Sequence, residues 1–425
     1  MSRFVTEKLD ETVVSQFNCY IHTSVVLVYY KWCCVFVVML RGYGLYILRL
    51  RLRSMKLGIL CLVTTASVLT LTVWIRKDVR TNGRSMKHSV GWSNFTGVIL
   101  LTYMRSGSSL TGDILQQNSN VFYVFEPLRI LRDLIKHKKQ IQWLNGTVSA
   151  IATLNTTDVK RQALIGWLTC NFSLVYAQSF EDSNFLYFGK QTASYNECIY
   201  KNYNITITDH SQNVTRIYVR TPAFRRGLED KCLKRLQNAC LSSKVRIIKT
   251  IRTSMLTAEA ILTELKECKV IHVIRDPRAT VLSQIRNDGC NEKRNSTLDC
   301  AKRHCENVWN DTLVKEKMLK RFPYRILTIL YENVVSKPSL MAELMYKFVG
   351  MQFSEVISKY VNRIVLEGNV TGCNVCERSW QVGKHSNTST YRKLLLERMK
   401  RIDILYINSV CKEVLNHYKY KFDIR

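Results

Sequence analysis

Two short stretches carry the residue types and spacing that bind and polarise anions. The first, Thr102-Tyr-Met-Arg-Ser-Gly-Ser-Ser109, follows an apolar run and leads into a helical pattern starting at Leu110. Small residues let backbone N–H groups curl around an anion, the start of a helix adds its dipole, and Arg105 adds a fixed charge. The second runs Val270-Ile-His-Val-Ile274, then Arg275-Asp-Pro-Arg278, with Ser283 in the helix that follows. Arg275 and Ser283 can converge on one phosphate monoester, the guanidinium as a fork and the hydroxyl as a donor. Taken singly, each stretch has a plainer reading: a Ser/Gly turn at a helix start, and a helix-starting ion pair. Taken together, a short anion loop and a separate Arg…Ser pair suit a nucleotide with isolated 5′ and 3′ phosphates.

The first loop lacks the Gly-x-x-x-x-Gly-Lys-Ser/Thr pattern, so no lysine bridges β and γ phosphates and a nucleoside triphosphate is not its natural ligand. Other candidates lie near these stretches. Glu126 ends the run Val121-Phe-Tyr-Val-Phe125 and is a candidate base, or a structural carboxylate holding Arg105 or a backbone turn. Lys249 and Arg252 are candidates for contacts to a bound nucleotide or another anion, or a solvated strand end. His272 sits inside an apolar strand and reads as core, and His385 is a weaker base candidate. Cys373-x-x-Cys376 near His385 could be half a zinc site, but no second CxxC or spaced His pair follows, so disulfide bonding is the simpler reading and no metal is expected.

The elements that must position these residues alternate in type. Short apolar runs predict strands over Gly97–Tyr103, Val121–Phe125, Lys244–Ile251, Lys269–Ile274 and Arg325–Leu330. Helical spacing predicts helices over Leu110–Gln117, Leu128–Lys139, Ala258–Glu267, Ala279–Arg286 and Cys300–Arg321. It predicts further helices over Leu340–Val349, Ser354–Leu366 and Tyr391–Tyr418. Residues 140–243 read as loops and short helices. The alternation implies an α/β fold, a parallel sheet flanked by helices. Arg275 then falls at the end of a strand, where open α/β sheets place their ligands.

The compartment is read from other features. The chain has 425 residues, 46% apolar and 23% charged, with a formal net charge of +30. That is globular composition, and its field attracts polyanions: nucleic acid, an anionic membrane or an acidic polysaccharide. Leu57–Ile75 is an uncharged run of 19 residues, just long enough to cross a hydrocarbon core of about 30 Å. Ten Asn-x-Ser/Thr sequons, Asn94 to Asn387, all follow that run, against roughly four expected from composition. Eleven of the 15 cysteines also lie beyond it, an odd number that leaves at least one thiol unpaired or bridging to another chain. These features imply a type II membrane protein: residues 1–56 cytoplasmic, 57–75 the transmembrane signal anchor, 76–95 a stem and 96–425 a lumenal domain. Val25–Leu40 is a second apolar stretch broken by Lys31, and Met55 is a natural start, so residues 1–54 read as an extension.

The combination of motifs resembles sulfotransferases, which use 3′-phosphoadenosine 5′-phosphosulfate. More narrowly, Arg105-Ser-Gly-Ser-Ser109 with Val121-Phe-Tyr-Val-Phe-Glu-Pro127 is similar to the Golgi galactose/N-acetylgalactosamine/N-acetylglucosamine 6-O-sulfotransferases. Lys249-Thr-Ile-Arg252, Val270 to Ala279 and Asn387-Thr-Ser-Thr-Tyr-Arg392 extend the likeness, which covers roughly residues 97 to 418. The chain departs from that family at Arg129 and Ile130, where an aromatic and a histidine are usual. It departs again at Leu330-Tyr-Glu-Asn333 and at Tyr391, differences that bear on the acceptor more than on the donor.

The resemblance implies a P-loop-like sulfotransferase fold and sulfate transfer to a sugar 6-hydroxyl. It implies Arg105 and Glu126 as catalytic residues. The implied donor contacts are Arg105, Ser106, Gly107, Ser108, Ser109, Leu110, Arg275, Ser283, Lys249 and Arg252. It implies a Golgi membrane location and an acidic glycan or glycoprotein acceptor, with a homo-oligomer left open. Other classes weigh less: a phosphotransferase would need a lysine and Mg²⁺ ligands, and the sequons and anchor discourage a nucleic-acid partner. A catalytically inactive lumenal glycan-binding protein of the same fold would not need Arg105 and Arg275, and both are present.

Overall fold

The computed structural model describes residues 26–30, 33–40, 43–51, 95–181, 188–203, 231–286, 297–367 and 400–421. The chain divides into two units, Met1–Gly91 and Trp92–Arg425. The expected anchor at 57–75 and the stem up to residue 94 lie outside the described residues. Among the described residues no helix is long and apolar enough to cross a membrane.

In the first unit, β1 (Val26–Tyr30), β2 (Cys33–Leu40) and β3 (Tyr43–Arg51) form an antiparallel sheet in that order, with Val26 opposite Val37 and Cys33 opposite Arg51. The apolar stretch Val25–Leu40 is therefore not one continuous element. Its valines, tyrosines and phenylalanine are strand formers, and strands need far fewer residues than a helical span.

The second unit is built on five parallel strands: β4 (Thr96–Leu101), β5 (Val121–Phe125), β8 (Val245–Thr250), β9 (Cys268–Ile274) and β10 (Ile326–Leu330). A small antiparallel pair, β6 (Gln140–Gln142) and β7 (Val148–Ala150), stands apart from them. The sheet order is β10-β9-β4-β8-β5, with every neighbouring pair parallel. The chain builds one side of β4 through β5 and β8, then crosses to the other through β9 and β10. β4 is thus the switch point, where a crevice opens at the strands' carboxyl ends.

Successive residues of β4 serve opposite faces, as a pleat requires. Ile99 and Leu101 join a core containing Leu164, Trp167 and Leu168 of the helix Thr156–Thr169. Val98 and Leu100 join a second core with Ile114, Met345 and Val361 from the helices Ser108–Leu115, Pro338–Val349 and Glu355–Val365. Helices therefore cover both faces, as the runs of apolar residues imply.

The expected strands and most expected helices are present, with boundaries shifted by at most three residues. Residues 140–243 differ from expectation. Besides short elements their described part holds three helices, Thr156–Thr169, Lys190–Tyr203 and Lys231–Ser242. The second of these hides in a polar stretch because only one stripe, including Tyr195, Cys198 and Ile199, is buried. Disulfides Cys170–Cys240 and Cys198–Cys232 staple these helices. The expected helix Tyr391–Tyr418 is, in its described part, two helices, Arg401–Val410 and Lys412–His417, meeting at Cys411, which is bonded to Cys305. Among the described residues Cys268 is a free, buried thiol, and burial pushes it up to about 12.

Candidate active site

The carboxyl ends of all five parallel strands converge on one cleft of about 220 Å³. β4 delivers Met104, Arg105 and the 107–110 turn, β5 delivers Glu126, and β8 delivers Lys249 and Arg252. β9 delivers Arg275, and β10 delivers Tyr331.

The first loop is shaped by its backbone. Arg105 and Gly107 both have positive φ, 68° and 84°, and Gly107 caps the helix Ser108–Leu115 in the left-handed conformation. Such alternation turns successive N–H groups towards one point. Gly107 is required twice over: its φ suits glycine, and a Cβ there would collide with the Tyr331 ring. Ser106 is buried and faces inward. Its Oγ donates to the Tyr103 carbonyl at 2.6 Å and accepts the Tyr103 N–H at 3.1 Å, closing the turn. Ser106 thus supplies backbone and turn geometry, and its hydroxyl is already engaged.

Behind the loop the Tyr103 hydroxyl donates to Asp311 Oδ2 at 2.9 Å and lies 3.0 Å from His272 Nε2. Asp311 Oδ1 accepts the Met255 N–H at 2.7 Å. Burial pushes the Tyr103 hydroxyl well above its ordinary range and raises the Asp311 carboxyl. Burial, with help from Lys315, brings His272 down to about 3, so the imidazole is neutral. His272 is a core residue bracing the loop from below.

The two anion-binding stretches touch directly. Arg275 Nη1 donates to the Arg105 carbonyl at 2.8 Å, and Arg105 Nε donates to Ser283 Oγ at 3.0 Å. The Arg275 guanidinium also stacks over the Tyr331 ring, 4.7 Å from its centroid. Ser283 is buried beside the cleft and reaches it through Arg105, while Arg275 lines it.

On the other side, Glu126 stands between two cations. Lys249 Nζ is 2.5 Å from Oε1 and Arg252 Nη1 is 2.6 Å from Oε2. The Glu126 and Lys249 side chains are only 3% and 4% exposed, Arg252 19%. The partners of Glu126 are therefore Lys249 and Arg252, not Arg105. Burial lowers Lys249, and the Glu126 charge opposes that shift. Glu126 holds φ at 50°, and with Arg105 it is one of the non-glycine residues at positive φ, a strained backbone of the kind that collects at functional sites.

Every expected donor contact except Ser106 and Ser283 lines this cleft. Tyr331, Arg129, Met104, Phe125 and Ile251 line it too and were not singled out as site residues. Tyr331 directly follows the expected strand Arg325–Leu330, and Ile251 ends the expected strand Lys244–Ile251, so both were findable at the carboxyl edge. His385, Cys373, Cys376 and Asn387–Arg392 lie outside the described residues. Among the described residues no group of three His, Cys, Asp or Glu side chains is arranged to hold a metal ion.

A doubly covered parallel sheet with a glycine-turned loop and a cationic cleft at its switch point defines a protein of the α/β class whose cleft is shaped and charged for an anion. The profile described as Sulfotransferase family matches residues 98–355, and the chain belongs to that family. Carbohydrate sulfotransferase 3 of Tetronarce californica is 24% identical over 310 residues, 67% of this chain and 63% of that protein, so the match spans less than two thirds of the relative. Carbohydrate sulfotransferase 1 of Danio rerio is 21% identical over 373 residues, 77% of this chain and 79% of that protein. The solved sulfotransferase domain from the curacin biosynthetic pathway aligns with 77% of this chain and 99% of its own, at 16% identity and a TM-score of 0.41.

Proposed function

We propose that the protein transfers sulfate from 3′-phosphoadenosine 5′-phosphosulfate to the 6-hydroxyl of galactose, N-acetylgalactosamine or N-acetylglucosamine in a glycan or glycosaminoglycan. The observation that carries this reading is the contact between the two anion-binding stretches, Arg275 on the Arg105 carbonyl and Arg105 on Ser283. It sets a backbone cradle and a separate Arg/Ser pair side by side, as a nucleotide phosphorylated at both ends requires. The cleft also fits such an anion in charge, with five cationic side chains against Glu126.

When bound, the donor supplies the sulfuryl group. The acceptor oxygen bonds to sulfur, the bond from sulfur to the 5′-phosphate oxygen breaks, and negative charge grows on that oxygen. Arg105 and the N–H groups of residues 107–109 face that region and stabilise the charge, an effect worth about 3–4 kcal/mol per donor group. Arg275 holds the 3′-phosphate, and Ser283 acts behind it by orienting Arg105. Glu126 is the candidate base for the acceptor proton. Its two cationic partners orient it, and an acceptor hydroxyl must reach it between them. Lys249 and Arg252 then serve the donor side through Glu126 as well as directly.

We further propose a Golgi membrane protein with this domain lumenal, acting on an acidic glycan or glycoprotein. The described sequon asparagines Asn145, Asn155, Asn171 and Asn310 are all exposed, as glycan attachment needs. Three disulfides among the described cysteines fit an oxidising compartment. The test is retention on immobilised adenosine 3′,5′-bisphosphate with elution by free nucleotide. It is followed by transfer of labelled sulfate to desulfated chondroitin, keratan and N-acetylglucosamine-terminated acceptors. Retention with transfer to one of them is expected; no retention, or retention without transfer to any sugar, refutes the activity.

A further inference from the structure

We propose that Glu332 and Tyr420 form a positioning pair that aims Arg275, linking the 400–421 segment to the donor's 3′-phosphate. The inference rests on the donor reading above and deepens it.

At the end of β10 two consecutive residues face different partners. Tyr331 enters the cleft, while Glu332 reaches the 275–278 turn. Glu332 Oε1 accepts the Asp276 N–H at 2.9 Å, and Oε2 accepts the Tyr420 hydroxyl at 2.8 Å. The Asp276 N–H lies just before the helix Pro277–Arg286, where backbone donors have no partner within the helix. Glu332 therefore caps that helix start from another element. Asp276 in turn binds Arg278 through both oxygens, at 2.9 and 2.7 Å, and its carbonyl accepts the Thr280 N–H at 2.9 Å. The turn that carries Arg275 is thus tied down one residue beyond Arg275 itself.

Tyr420 is delivered with little freedom. Lys419 turns the backbone through a φ of 57°, and the Tyr420 N–H donates to the Leu415 carbonyl at 2.8 Å. Val414 and Leu415 are buried in the core, and Cys411 is bonded to Cys305. Burial raises the Glu332 carboxyl, and its two donors act against that shift. A half-buried carboxylate that loses one of two donors is left under-satisfied, so it and the turn it caps relax together.

The chain of contacts runs Tyr420, Glu332, Asp276, then Arg275 and the Arg105 carbonyl. It does not pass through Glu126, Lys249 or Arg252. Loosening it should therefore cost affinity for a 3′-phosphate and spare the rest of the cleft. A merely structural pair would cost both alike.

The test measures Kd for adenosine 3′,5′-bisphosphate and for adenosine 5′-phosphosulfate, which lacks the 3′-phosphate. It uses the full chain and three variants: Tyr420→Phe, Glu332→Ala and Glu332→Gln. Tyr420→Phe and Glu332→Ala should weaken the bisphosphate roughly tenfold, as expected for one hydrogen bond to a charged group. Adenosine 5′-phosphosulfate should change less than about twofold. Glu332→Gln keeps an acceptor for Asp276 and an amide donor for the Tyr420 oxygen, and should restore most of the affinity. Unchanged bisphosphate binding in Tyr420→Phe overturns the pairing, as does equal loss for both nucleotides in either Tyr420→Phe or Glu332→Ala. If the unsubstituted chain does not bind the bisphosphate, the donor reading falls and this inference with it.

Discussion

Replacing Glu126 by glutamine separates two roles that overlap at one carboxylate, support and proton acceptance. Lys249 sits 2.5 Å from Glu126 with both side chains almost wholly buried. Removing the charge of Glu126 leaves a buried ammonium without its counter-ion, and breaking a buried pair this way costs about 3–5 kcal/mol. Lys249→Met costs less, roughly 1.5–3 kcal/mol, because Arg252 still engages Glu126. In the double variant Glu126→Gln/Lys249→Met neither charge is stranded. Its loss should fall well short of the sum, with a coupling of about 2 kcal/mol. Urea unfolding followed by circular dichroism, disulfides intact, gives these values, and turnover with labelled donor is measured on the same samples. If Glu126 takes the acceptor proton, Glu126→Gln lowers kcat about 10²–10⁴-fold, and adding Lys249→Met recovers stability without recovering kcat. Additive stability losses, within about 0.5 kcal/mol, would refute the buried pair. Near-normal turnover in Glu126→Gln would leave Glu126 a support alone.

Arg275→Ala should weaken adenosine 3′,5′-bisphosphate by about 1.5–3 kcal/mol and hardly affect adenosine 5′-phosphosulfate, read by competition for the resin; equal loss for both would reassign Arg275. Gly107→Ala meets both an unfavourable φ and the Tyr331 ring, so it should abolish retention on the resin while far-UV circular dichroism stays native; normal retention would mean that the loop does not form the cradle. His272 and His304 are held by burial at about 3 and about 4, below the ordinary value near 6.5. As pH falls below about 6.5 the unfolded chain takes up protons that the folded chain refuses, so stability drops, on the order of 2 kcal/mol per histidine by pH 5. His304→Gln should flatten that acid limb relative to the unsubstituted protein, and an unchanged slope would contradict the buried neutral state.

The parts of the site legible in sequence are those that local order dictates. The apolar run ending at Leu101, the small residues 106–109 and the helical pattern from Leu110 describe strand, turn and helix within one short stretch, as do Val270 to Ser283. The partners of Glu126 were not legible, because Lys249 is 123 residues away and meets it only when β5 pairs with β8. Sequence order suggests β5 beside β4, and the sheet inserts β8 between them. Tyr331 was visible as part of a motif, but its stacking on Arg275 depends on β10 joining β9 in register. The Lys190–Tyr203 helix escaped notice for another reason. Its buried stripe includes the polar Thr192 and Asn196, and it is also held covalently, through Cys198–Cys232, a pairing that spacing alone does not reveal.

The place of β4 in the sheet bears on how the chain is made. Its partners at Thr96 and Gly97 are Val245 and Cys268, so the strand at the centre of the sheet leaves the ribosome about 150 residues before its first neighbour. At about 5–20 residues per second that interval is on the order of 10–30 s. Throughout it, an apolar strand and the beginnings of an anion cradle are exposed with no parallel partner to take their backbone hydrogen bonds. Tyr331 and Tyr420, which back the cradle, arrive later still. The order of synthesis therefore leaves the central strand open to non-native pairing until β8 and β9 have emerged. A release or stall before residue 268 leaves a fragment with an open sheet edge and no donor site.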